Sequence, residues 1–186
     1  MPPLLQSRAA SAPLHIRLET EAGTIRVRLD ALAAPRTVHN FLRYVQAGHY
    51  VNGRFHRTVT PQNQPNDPIR IEVIQAGADP ARESAAFPPI ALERTSVTGL
   101  RHLDGTISMA RSAPDSATSD FFICIGPQPE LEFGGRRNPD GQGFAAFGQV
   151  IEGMDVVRRI QQSPAEGQRL APPVRIIGAH VEEENP

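Results

Sequence analysis

At 186 residues the chain suits one domain with a sizeable core, and its 19 basic against 20 acidic residues, a net charge of -1, exclude a broad nucleic-acid or anionic-membrane surface. The absence of Trp and the low aromatic content limit stacking platforms for single-stranded nucleic acid, and no apolar run reaches the ~18–20 residues a membrane helix needs. Eighteen Pro and fifteen Gly imply many turns, which fits short strands better than long helices.

Residues 1–13 read as a flexible lead. Within it Ala10-Ser11-Ala12 has the small-residue character of a cleavage site, but no signal-peptide apolar core precedes it. Cytoplasm is the default expectation for localisation, and periplasm the alternative if this is a trimmed secretory precursor. The domain itself is expected over residues 14–182, with a short tail at 183–186.

Leu14, Ile16 and Leu18 alternate with His15, Arg17 and Glu19, and Ile25, Val27 and Leu29 alternate with Arg26 and Arg28. With Glu21-Ala22-Gly23 between them, these two half-buried strands predict a hairpin. The period then changes: Val38, Phe41, Leu42 and Val45 fall on one face of a helix, with Pro35 in its first turn and Gly48 as its C-terminal cap. After a hairpin-type turn at Asn52-Gly53, strand signals return at Arg54–Val59, Ile69–Gln75, Thr106–Met109, Phe121–Ile125 and Ala145–Ile151. A polar, proline-rich loop covers Thr60–Pro68, a second helix is expected at Met154–Gln162, and Val174–Val181 closes the pattern. Strands in runs, with two helices, favour an antiparallel sheet closed as a barrel or stacked as a sandwich; pattern alone leaves both open.

Few residue groupings suggest chemistry. The six histidines form no metal-ligand spacing, no Gly-x-Ser-x-Gly elbow is present, and Gly141-Gln142-Gly143 is better placed to shape a turn than to cradle a phosphate. Glu130 and Glu132 read as solvated loop charges, and Cys124, the only cysteine, as a buried inert thiol. This leaves Phe55-His56-Arg57. Strict strand alternation puts Phe55 and Arg57 on the same side, where Arg57 is either an edge-strand cation in a surface ion pair or a working group beside an apolar pocket.

Six segments carry a resemblance: Thr37-Val38-His39-Asn40-Phe41, Gly53-Arg54-Phe55-His56-Arg57, Ile74-Gln75-Ala76-Gly77, Gly105-Thr106-Ile107-Ser108-Met109-Ala110, Ser119-Asp120-Phe121-Phe122-Ile123 and Phe147–Met154. Collinear from about Leu14 to Val181, they resemble the cyclophilin-type peptidyl-prolyl cis-trans isomerases, bacterial members more than eukaryotic ones. The resemblance implies an eight-stranded antiparallel barrel capped by two helices. It implies that Arg57 is the catalytic arginine, that Phe122 floors a proline pocket, and that Gln75 holds the arginine and touches substrate backbone. Phe55 and His56 match the neighbours of the arginine in its motif, Ala110 a groove position and Leu131 an apolar wall.

Departures from the eukaryotic pattern mark the rest of the site. Arg111 stands where an asparagine commonly binds substrate, Asp120 where a glutamine precedes the Phe-Phe pair, and Phe144 where a histidine edges the pocket. Glu72-Val73 replaces a Phe-Met pair, the loop after Arg57 is longer than usual, and Glu130 replaces a tryptophan, which implies weak binding of cyclosporin-like drugs. Asp120 is expected either to pair with Arg57 or Arg111 or to be a solvated loop carboxylate. The implied activity is rotation about X-Pro bonds of proline-containing peptides and folding proteins by a monomer, with no cofactor and no metal. The rival reading is a proline-peptide binding module that has lost most turnover.

Overall fold

The computed structural model describes residues 13–182, so most of the N-terminal lead, including Ala10-Ser11-Ala12, and the tail at 183–186 lie outside it. Among the described residues there are nine strands: β1 Leu14–Thr20, β2 Gly23–Leu29, β3 Arg54–Val59, β4 Val73–Gly77, β5 Thr106–Met109, β6 Phe121–Cys124, β7 Ala146–Glu152, β8 Ala165–Glu166 and β9 Arg169–Glu182. They pair in the order β1-β2-β7-β5-β6-β4-β3-β9, and β9 returns to pair with β1, which closes an eight-stranded antiparallel barrel. The two-residue β8 flanks β9. Of the two arrangements open on pattern, the barrel is the one formed, because the long β9 serves both β3 and β1.

Alternation in β1 and β2 sends Ile16, Leu18, Ile25 and Val27 into the barrel, each with no exposed surface. The interior continues through Phe55, Ala76 and Phe121, which lie side by side across β3, β4 and β6. Helix α1, Pro35–Gln46, closes one end; its Phe41 ring packs 5.3–5.5 Å from Tyr50, Phe121 and Phe147. Its end follows a Schellman pattern: the Gly48 N–H donates to Val45 O and the His49 N–H to Tyr44 O, with Gly48 at φ +73°. A single turn, α2, spans Thr95–Thr98, and α3, Met154–Gln161, turns Val156, Val157 and Ile160 inward.

Apart from single-residue shifts at the ends of β6, β7 and α3, three expectations are corrected. Residues 69–72 are not strand: the Ile71 N–H donates to Gln64 Oε1 instead of joining a ladder, so β4 begins at Val73. The closing strand starts at Arg169, five positions before the apolar run that announced it, since its first half, with Pro172-Pro173, has no alternation to read. Asn52-Gly53 leads out of α1 into β3 and so does not join two strands.

Candidate active site

The ladder decides which side chains meet. A register shift between Phe55 and Arg57 inserts His56 as an extra residue, so Phe55 faces Ala76 while Arg57 faces Gln75. The two therefore lie on opposite faces, contrary to strict alternation: Phe55 is fully buried in the core, and Arg57 emerges outside the barrel. On that outer face Arg57, Gln75, Phe122 and Ser108 run across four neighbouring strands. Val59, Val73 and Cys124 form the next row, and with Ile71, Phe122 and Leu131 they make a second apolar cluster, separate from the barrel core.

This cluster floors a cavity of about 480 Å³ whose wall includes Arg57, Gln75, Ala110, Phe122, Leu131 and Phe144. These six expected residues come together from β3, β4, the ends of β5 and β6, and the loops before β7. Phe122 and Phe144 meet edge to face at 5.5 Å. Behind Phe122 the buried His102 ring lies parallel at 6.0 Å, fixed by Ser108 Oγ at 2.9 Å from its Nε2 and by Glu132 at its Nδ1. Burial pushes the Cys124 thiol far above its ordinary value, in keeping with the inert thiol expected there.

Arg57 is held on two edges. Its Nη1 donates to Gln75 Oε1 at 3.0 Å, while Nε and Nη2 donate to Gln168 Oε1 at 3.0 and 2.8 Å. Burial first, and the nearby Arg137 guanidinium second, lower its pKa from the ordinary value, but an arginine keeps its charge at any physiological pH. Asp120 does not pair with either arginine. Its Oδ2 accepts from Gln75 Nε2 at 3.1 Å and lies 3.1 Å from His56 Nε2, so it acts on Arg57 only through Gln75.

Other expected contacts are corrected. Neither Phe55 nor His56 lines this cavity; His56 lines a neighbouring one of about 310 Å³, across the Thr118–Asp120 ridge. Arg111 lines the wall, but its guanidinium lies 4.7 Å over the Phe144 ring and donates to Gly143 O and Asp140, with the side chain only 1% exposed. It clamps the wall and has no group turned to substrate. Of Glu72-Val73, Val73 lines the cavity with Ile71, while Glu72 accepts from Gln161 Nε2 on α3. Glu130 is absent from the lining and pairs with Arg136.

Two contributors were not foreseen. Gln168 comes from the β8–β9 turn, 111 positions from Arg57. Arg137 ties Asp67, Gln64 and Ile69 O together, so the long loop after β3 forms one rim of the cavity. A lone Gln in a turn and a charge in a Gly-rich loop carry no periodic signal; only the departure of the 60–71 segment from the usual loop length pointed to this rim.

Comparison with known proteins agrees with this geometry. The family described as "Cyclophilin type peptidyl-prolyl cis-trans isomerase/CLD" matches residues 15–181. The chain is 38% identical to peptidyl-prolyl cis-trans isomerase A of Dickeya dadantii over 161 residues, 85% of this chain and 76% of that protein. It is 34% identical over 190 residues to a peptidyl-prolyl cis-trans isomerase of Acinetobacter baylyi, which covers 98% of this chain and 93% of the other. Among solved structures, a cyclophilin-type isomerase from Cryptosporidium parvum shares the fold with a TM-score of 0.75 at 20% identity, covering 94% of this chain and 99% of that one. A closed barrel, a phenylalanine-floored cavity on its outer face, an arginine at the cavity's edge and this match over nearly the whole chain lead to one assignment: the protein is a member of the cyclophilin-type peptidyl-prolyl cis-trans isomerase family.

Proposed function

We propose that the chain, acting as a monomer without metal or cofactor, rotates X-Pro bonds of peptides and folding proteins non-covalently, with Arg57 stabilising the twisted amide. The observation that carries this is the state of the guanidinium. Three of its five N–H groups are taken by Gln75 and Gln168, which leaves one on each terminal nitrogen beside an apolar cavity.

Rotation about a peptide bond costs ~18–20 kcal/mol because amide resonance is lost, and no proton transfer or nucleophile is required to lower that cost. In the twisted state the proline nitrogen becomes pyramidal and recovers a lone pair. A planar amide nitrogen barely accepts a hydrogen bond; the pyramidal one does. A donor fixed beside it therefore binds the transition state better than either ground state. One charge-assisted bond of about 1.5–3 kcal/mol gives a ~10- to 150-fold acceleration. Phe122, Leu131, Phe144 and Val73 suit the pyrrolidine ring, which must stay put while the acyl side turns. Gln75, with Ala110 at the rim, is placed to hold the flanking peptide. The monomer is supported by barrel closure, which among the described residues leaves no long sheet edge open to a second copy.

The test is the cis-to-trans rate of a short Ala-Pro-Phe peptide with the unaltered protein and with Arg57→Ala. Strong acceleration by the first, reduced at least ~10-fold in the second, is expected. If the unaltered protein binds the peptide without accelerating it, the chain is a proline-peptide binding module instead.

A further inference from the structure

We infer that Gln168 is a positioning residue for the isomerisation, which aims the Arg57 guanidinium by holding the edge that Gln75 does not reach. This rests on the role proposed for Arg57. Gln75 bonds only Nη1, and a single hydrogen bond leaves a planar fork free to swing about that contact. Gln168 Oε1 takes both Nε and Nη2, at 3.0 and 2.8 Å. A guanidinium pinned along two edges has its plane fixed, so the N–H groups left over point in one direction.

The chemistry admits one orientation of the Gln168 amide. Arg57 offers only donors, so the amide oxygen faces it and the amide nitrogen faces away. That nitrogen finds an acceptor in Asn63 O at 3.2 Å. Asn63 is braced in turn: its Nδ2 donates to Thr58 O and Gly167 O, and its Oδ1 accepts from the Thr60 N–H at 2.8 Å. The Thr58 N–H donates to Gln168 O at 2.8 Å, which ties the backbone of the β8–β9 turn to β3 one residue beyond Arg57. The long loop after β3 and the β8–β9 turn therefore brace each other, and Gln168 passes that rigidity to the guanidinium. Gln168 makes no part of the cavity wall, so it acts through Arg57 and not on the peptide.

The test is a double-mutant cycle with Gln168→Leu, Arg57→Ala and the combination, read as kcat/KM on a prolyl peptide, with Kd for the same peptide measured separately. Gln168→Leu is expected to lower kcat/KM by about 10-fold with Kd little changed, a size suited to a misaimed group. In the Arg57→Ala background the same change is expected to do nothing more. The Arg57 Nε–Hε resonance, protected by Gln168, is expected to shift and exchange faster in Gln168→Leu. Gln168→Glu, which keeps the acceptor and removes the donor to Asn63 O, is expected to recover part of the loss. Equal losses from Gln168→Leu in both backgrounds would overturn the positioning role. So would full activity of Gln168→Leu beside a crippled Arg57→Ala, which leaves the Arg57 reading standing. A fully active Arg57→Ala would end both.

Discussion

At Asp120 one carboxylate oxygen is shared between Gln75 Nε2 and His56 Nε2, and Gln75 in turn holds Arg57. Gly77 lies against this carboxylate so closely that a Cβ there would collide with Asp120 Oδ1. Gly77→Ala is therefore expected to drive Asp120 from Gln75 and lower kcat/KM by about 10-fold, the worth of one hydrogen bond to a charged group. Asp120→Asn should show a smaller loss in the same assay. Full activity in both variants would show that the carboxylate does nothing to position Arg57. The residues expected at the site were largely legible: Arg57, Gln75, Ala110, Arg111, Asp120, Phe122, Leu131 and Phe144 line one cavity, and of the expected set Phe55 and His56 do not. Gln168 and Arg137 were not, because a residue that works by holding another has no motif of its own and is found only when distant loops meet.

Elements with strong periodic patterns were legible almost to the residue. Helix α1 starts at Pro35 as expected, and Gly48 ends it because the chain must enter the left-handed region there. A Cβ at Gly48 would meet nothing within 4 Å, so Gly48→Ala carries only the conformational cost. That cost is about 1–2 kcal/mol and should appear as a lower urea midpoint with an unchanged m-value. An unchanged midpoint would mean that the Schellman turn reforms without its glycine. The bulge at His56 was the opposite case. No Gly or Pro marks it, so strict alternation puts Arg57 on the same side as Phe55, and only the pairing of β3 with β4 shows the extra residue.

On the scale of the whole molecule, ion pairs tie distant strands and loops. The Arg26 guanidinium holds Glu182 below the usual carboxylate range across the β1–β2–β9 region, and Arg111 does the same for Asp140 beside the cavity. A depressed folded-state pKa adds stability that is complete above the unfolded value and is lost as pH falls through the folded one. The contribution of these two pairs to thermal stability is thus expected to stay level from neutral pH to about 5 and to fall below about 4, where carboxylates titrate in the unfolded chain. Asp140→Asn should flatten part of that acid limb in melts recorded across the pH range. A loss of stability already between about pH 7 and 6 would instead implicate a histidine.

By itself the sequence determined the number and order of the barrel strands, both main helices, the apolar residues that fill the core and the identity of the arginine and its pocket. Each of these is written locally, as a period of two or 3.6, as turn chemistry, or as a short motif. Tertiary structure alone decided that Arg57 stands outside the barrel, that Asp120 reaches it through Gln75, and that Gln168 holds its far edge. Those outcomes depend on register and on which loops cross, and neither is encoded in any single segment: both are set by how the strands pair once the chain has collapsed around one core.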